Sequence, residues 1–415
     1  MQTVKDENPG KKHRKVPGLI RFLVVASLFW IGFYFWPILI DSTPPVLEVS
    51  GLEADKRYRG TLTLNITVTD DRPGLGSLTV QVDDGPPHPL SLVADNTTFW
   101  TLETSAFADG LHTVFVTATD KALRKNRTQH TLPFYIDSTP PQLQISPESL
   151  HVGQGRTLAI FVQTDEPVSE ITGKLSDREI TFHPIGPENL YRSLLGIGVT
   201  HAPKSYPLTL RAVDLVGNAM TQTFHVEVGK TTFLRGGYIV LSPEKQKVMM
   251  DKSKSREDNA KRGAAFAKAA QEHEQLWEGK FIRPAEGRLT SPFGKYREYN
   301  TGVRRHHLGT DIANVVGTPV YAGNHGIVTL ADRLHIYGNA VVINHGQGIS
   351  TSYNHLNELH VQVGDRINKG QRIGLMGATG QVTGSHLHWH MVVNGVAVAP
   401  EEWTEVDFSS AERER

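Results

Sequence analysis

The sequence predicts a mainly β chain set behind a single N-terminal membrane helix, and three observations carry that prediction. An uncharged run of 19 residues, 22–40, follows a basic N-terminus. The pentapeptide DSTPP stands at 41–45 and again at 137–141, a period of 96, and short alternating β-branched segments follow each copy. From Phe281 onward short strands and glycine turns return, now rich in histidine, with ten of the 19 histidines between 306 and 390.

The 415 residues allow about three domains, each large enough for its own core. Lys plus Arg and Asp plus Glu are equal at 43 each, so no global charge points to nucleic acid. There is no cysteine. Disulfides, thiolate metal sites and a cysteine nucleophile are thereby excluded, and any metal must be held by His, Asp or Glu.

The N-terminal element comes first. Lys5, Lys11, Lys12, Arg14, Lys15 and Arg21 precede FLVVASLFWIGFYFWPILI. At about 1.5 Å per residue this run just spans a hydrocarbon core of about 30 Å. A cleaved signal peptide would have a shorter apolar region ending in a small-x-small site. This run ends in ILIDSTPP, without one. An uncleaved anchor is expected: 1–21 a cytoplasmic basic segment, 22–40 a single pass through the inner (cytoplasmic) membrane, and everything after Asp41 extracytoplasmic or periplasmic.

Two repeats follow, 41–136 and 137–229. Runs such as TLTLNITV (61–68), HTVFVTATD (112–120) and LTLRAVDLVGN (208–218) alternate apolar and polar residues between turn signals. That pattern over about 100 residues describes an immunoglobulin-like β-sandwich. The T-P-P start and the A-x-D-x-x-G-N hairpin of the second copy resemble bacterial immunoglobulin-like repeats; the first copy has ATDKALRKN there, without the Gly-Asn. Such modules space or adhere. Asp70, Asp71, Asp83 and Asp84 are read as solvated turn carboxylates rather than calcium ligands.

Residues 230–279 form the linker. From 242 they are rich in Lys, Glu, Ala and Gln and read as helix. The apolar stripe is thin, made of Ala264, Phe266, Ala267 and Ala270, so a surface or connecting helix is expected.

In the last third three blocks stand out: HHLGTDIA (306–313), TSYNHL (351–356) and GLMGATGQVTGSHLHWH (374–390). In a strand, His386, His388 and His390 would project to one side. His307 and Asp311 form H-x-x-x-D, but Gly309 and the strand-like DIAN argue against a helical pair. Two nitrogens and one carboxylate around zinc, with one position left open, make a catalytic set rather than a structural one.

F-x-x-P-x-x-G-x-L-T-S-P-F-G-x-Y-R (281–297), H-L-G-T-D-I-A (307–313), G-T-P-V-Y-A (317–322), Y-x-H-L (353–356), V-G-D-x-I-x-K-G-Q-x-I-G (363–374) and T-G-x-x-T-G-S-H-L-H-W (379–389) occur in order. Together they resemble the lysostaphin-type, LytM-like zinc endopeptidases that cut peptide cross-links of peptidoglycan. The resemblance implies an antiparallel β metallopeptidase domain at 280–405, with a charged tail at 406–415. It implies zinc (Zn2+) held by His307, Asp311 and His388, with His355 and His386 beside the open position as proton-transfer and oxyanion-stabilising groups. Two positions depart from the family pattern: Ser385 stands where Pro is usual, and His390 where Glu or an apolar residue is commoner. His390 is expected at a strand end or in the substrate groove, and His306 beside a ligand but turned elsewhere.

A cupin reading of the H-x-H fails, because it needs Glu near Val392 or Val393 and a later histidine, and none follows His390. A silent relative that activates cell-wall amidases is the alternative; such relatives lack ligand residues, and all five stand here. The reading is therefore a mainly β chain with an N-terminal transmembrane helix, two immunoglobulin-like sandwiches, a helical linker and a C-terminal zinc metalloendopeptidase domain. Its implied role is peptidoglycan hydrolysis in cell-wall remodelling. Its partners would be peptidoglycan, the inner membrane through one helix, and envelope or division proteins, with no nucleic acid.

Overall fold

The structure, a computed structural model, describes residues 41–410 apart from 72, 94, 187 and 188, and before them only Ser27, Trp30, Ile38 and Ile40. The expected membrane segment 22–40 and its basic flank thus lie outside the described residues, those four positions aside. Among the described residues no helix is long and apolar enough to cross a membrane. The mainly β expectation holds, and the chain divides into two compact units, Met1–Thr139 and Pro140–Arg415.

In the first unit a three-stranded sheet and a five-stranded sheet enclose one apolar core. Period-2 patterning makes the strands amphipathic: Thr61–Thr69 turns Leu62, Leu64, Ile66 and Val68 inward and its threonines outward. Each such buried side chain contributes about 1.5–3 kcal/mol of transfer free energy.

The second unit begins with another pair of sheets, of five and four strands, around Leu158, Ile160, Leu208 and Leu210. Its C-terminal part is built on a ten-stranded, largely antiparallel sheet. The path through that sheet runs Arg288–Ser291, Thr310–Ala313, Leu387–Val393, Ile349–Leu359, Gly338–Gly346, Gly326–Leu334 and Arg366–Ile367. Ile349–Leu359 and Leu387–Val393 are central, and both are buried almost throughout. One apolar cluster joins this sheet to the four-stranded one: Ala159, Phe161 and Leu194 pack with Trp277, Met391, Val393 and Trp403. The Trp403 indole donates to Thr157 at 3.0 Å, and the buried Arg192 guanidinium donates to Gln275 at 2.8 Å.

The linker corrects an expectation. Asp251 caps the helix Lys252–Gln271 by accepting from the amides of Ser253 and Lys254. Of the stripe read from the sequence only Phe266 packs inward. Asp258, Arg262, Ala265 and Ala269 are buried, whereas Ala264, Ala267 and Ala270 are exposed. Two polar residues on the inward face find partners across the interface, which an apolar pattern cannot signal. Upstream, Arg235–Ile239 is a strand that pairs in parallel with Tyr296–Tyr299.

Candidate metal centre

The strand Thr310–Ala313 lies antiparallel to Leu387–Val393 with Asp311 directly opposite His388, so the two side chains share a face. His307 arrives from the loop just before. Its Nε2 lies 3.0 Å from Asp311 Oδ1, and His388 Nδ1 lies 2.9 Å from the same oxygen. The two ring nitrogens are 2.9 Å apart. These atoms form a nearly equilateral triangle. A tetrahedral ion with bonds of about 2.0–2.1 Å spaces its donors about 3.3 Å apart, so a small outward movement of the three admits it. Among the described residues, His307, Asp311 and His388 are a group that can hold a metal.

The electrostatics suit a cation. Burial lowers His307 against the opposing pull of Asp311, and burial pushes His388 down to about 4, so both rings offer neutral nitrogens. Burial works against the charge of Asp311, yet the His307 and His388 rings beside it hold its carboxyl below the usual carboxylate range. Its other oxygen accepts from Arg297 Nη2 at 2.5 Å, and the same nitrogen donates to Ser291 at 2.7 Å. His307 Nδ1 faces the Pro292 carbonyl at 3.3 Å, which places its proton there and leaves Nε2 bare.

His355 stands at an irregularity in Ile349–Leu359, where Asn354 and His355 together oppose Ala340. Its φ is +67°, a left-handed value that costs a non-glycine residue about 1–3 kcal/mol. Its ring reaches within 6.0 Å of the His388 ring and 5.0 Å of the His386 ring, centre to centre. His355 Nδ1 is 2.9 Å from the Thr379 carbonyl, and burial, then the neighbouring His388 and His386, push it down to about 3.

The H-x-H-x-H run is strand only from Leu387, yet His386 still faces the same centre as His388. His386 lies in the turn before the strand, with Nδ1 2.9 Å from the Gly384 carbonyl and Nε2 3.7 Å from Asp311. His390 is neither a strand-end nor a groove residue. It is buried inside the strand, its Nδ1 accepts from Arg262 of the linker helix at 2.8 Å, and burial, then Arg262, holds it well below its ordinary range. His306 turns to the Gly294 carbonyl at 2.7 Å.

The five residues singled out in the sequence, His307, Asp311, His355, His386 and His388, line one cleft of about 500 Å3. Three features of it were missed. Arg297 belonged to a quoted motif without a role, and its reach to Asp311 is a contact between two strands. Thr379 acts through its carbonyl, which no side-chain pattern reports. Gly236, Tyr238 and Ile239 of the linker strand form one wall, through parallel pairing that local sequence does not encode.

The model of peptidase family M23 matches residues 305–400. The chain carries a peptidase family M23 domain. The peptidoglycan DD-endopeptidase ShyA of Vibrio cholerae serotype O1 is 50% identical over 90 residues, 21% of this chain and 21% of that protein. The DD-carboxypeptidase/endopeptidase Mpg of Neisseria meningitidis serogroup B is 41% identical over 113 residues, 27% of this chain and 26% of that protein. The matches thus span about a fifth to a quarter of these relatives' own length. The solved catalytic domain of lysostaphin from Staphylococcus simulans is 31% identical, with a TM-score of 0.26, covering 28% of this chain and 92% of that one. The M23 match begins at Arg305, so His307, Asp311, His355, His386 and His388 all fall inside it, and Arg297 and the linker fall outside.

Proposed function

We propose that this protein is a membrane-anchored zinc endopeptidase that hydrolyses peptide cross-links of peptidoglycan. The observation that carries the reading is the convergence of His307 Nε2, Asp311 Oδ1 and His388 Nδ1 on one point, with two further imidazoles beside it, inside an M23 domain. His307, Asp311 and His388 would hold the ion. Bound there, zinc supplies Lewis-acid polarisation of the scissile carbonyl and raises the acidity of water.

The chain's own residues do the rest. Arg297 keeps Asp311 turned so that one oxygen serves the centre. His355 and His386 both direct Nδ1 at a backbone carbonyl, which leaves Nε2 of each as the atom that takes or gives a proton. In this reading one ring takes the proton of the attacking water, and a protonated ring then donates to the oxyanion and to the leaving amine. The cleft wall carries Lys295 and Arg305, a cationic lining that suits the free carboxylates of wall peptides. The two-sheet modules would space the domain from the membrane.

The test is made on the full chain in detergent, with zinc content and single-turnover cleavage of a defined cross-linked muropeptide read on the same samples. His355→Ala and His386→Ala are each expected to keep zinc near one per chain and to lose about a hundredfold or more in turnover. Full activity in both well-folded variants would overturn the peptidase mechanism and leave amidase activation as the reading.

A further inference from the structure

The helix Lys252–Gln271 lies outside the M23 match, yet a short run of hydrogen bonds leads from it to a reacting histidine. Asp258 is 1% exposed, and both its oxygens are used: Oδ1 accepts the amide of His335 at 3.0 Å and Oδ2 that of Ile336 at 2.7 Å. A carboxylate that accepts two consecutive amides fixes the plane of the turn that follows. One residue on, the Tyr337 carbonyl accepts the amide of His355 at 2.9 Å, and the Ile336 carbonyl accepts that of Gln381. Arg262, one helical turn after Asp258, stacks its guanidinium 3.7 Å from the centre of the Tyr337 ring and donates to His390. Thr379 closes the circuit. Its hydroxyl accepts the Asn339 amide at 3.0 Å and donates to the Leu356 carbonyl at 2.7 Å, while its carbonyl holds the His355 ring.

His355 needs such support. Its left-handed backbone is not one it would choose freely, and strained conformations persist where the surroundings over-determine them. The strand neighbours of His355 do not supply its amide with an acceptor; Tyr337 does, and the turn bearing Tyr337 is held from outside the sheet by Asp258.

We propose that the linker helix is a positioning element of the active site: Asp258, with Arg262, fixes the turn 335–337, and that turn sets the place of His355. This rests on the reading of His355 as a reacting group. The peptidase domain would then be complete only when joined to its linker, and Asp258 would act on catalysis without touching substrate or metal.

Asp258→Asn tests it in the full chain, since an amide keeps the shape but offers one acceptor where two are used. Expected is a loss of about ten- to a hundredfold in kcat on cross-linked muropeptide, the scale of a small misplacement of a reacting group, with KM within about twofold and zinc content unchanged. Ring resonances of His355, assigned through His355→Gln in selectively labelled protein, should move as well. The control is Ala265→Gly, which weakens the same helix at a buried position without touching the turn. It should lower Tm but leave kcat per folded molecule and the His355 signals as they were. Should Asp258→Asn not fold, Arg262→Lys, which removes the flat stack on Tyr337, carries the same expectation. Wild-type kcat per folded molecule in the turn variant, or an equal loss in Ala265→Gly, would reduce the helix to an anchor and overturn the proposal. Full turnover in His355→Ala would instead bring down the reading of His355 itself, a result independent of any Asp258 variant.

Discussion

The two oxygens of Asp311 have separate tasks, one facing two imidazole nitrogens and the other Arg297. Removing a donor and removing its orienting partner should therefore differ in degree. His307→Ala, Asp311→Ala and His388→Ala each take one of three protein donors and are expected to abolish tight zinc binding, measured as metal content after dialysis. Arg297→Met leaves all three and should weaken zinc affinity by about 10–100-fold, the usual effect of an outer partner. His390→Ala should keep zinc and lose stability, because His390 packs under Arg262 and Phe266. An empty site in His390→Ala with a filled one in His388→Ala would show the strand to be read one step out of register. His307, Asp311, His355, His386 and His388 were legible through the family resemblance of their motifs; spacing alone does not divide them into ligands and reacting groups. The surroundings of His390 were not legible, since Arg262 stands 128 residues away and a buried pair leaves no periodic trace.

At the scale of elements, the strands were legible because one-sided burial writes a period of two into the chain, as in Thr61–Thr69. The linker helix was legible as a helix but not in its facing, because its inward residues Asp258 and Arg262 are polar. Burial of charged side chains is tolerable only with partners in place, and partners are a tertiary fact. The strand Arg235–Ile239 escaped for a similar reason: its mate Tyr296–Tyr299 is parallel and distant. One element-scale constraint can be tested at Gly309, between His307 and Asp311. A Cβ there would stand 2.6 Å from His388 Cε1 and 2.6 Å from the Trp389 carbonyl oxygen. The loop must run this close to the strand for His307 to reach His388. Gly309→Ala is thus expected to push the loop outward, to cost about 1–3 kcal/mol by overpacking, and to weaken zinc binding although every ligand is retained. Unchanged zinc affinity and Tm would show that the loop yields freely.

On the scale of the whole molecule the two units should respond to acid in opposite directions, and the reason is the surroundings of the histidines in each. In the first unit burial works against a charge on His112, but Asp83 at 2.7 Å and the Ala108 carbonyl at 2.8 Å take its two N–H groups and hold it above its ordinary value. A raised folded value means stabilisation that is whole below about pH 6.5 and fades as pH climbs through the folded value. In the second unit burial pushes His345 down to about 4, and burial, then Arg192 and His273, push His183 to about 4. The unfolded chain takes up protons near pH 6.5 that these folded rings refuse, so acidification from about 6.5 toward 4 favours unfolding there. Metal loading acts in the same direction, because protonated ligands release the ion. Calorimetry on protein beginning at Asp41 should resolve two transitions at pH 7.5 and 5.5. The transition of the first unit is expected to hold or rise on acidification while that of the second falls, and His112→Gln should remove the rise. If both transitions fall together in the wild type, or if the first still rises in His112→Gln, the Asp83–His112 pair is not what couples the first unit to pH.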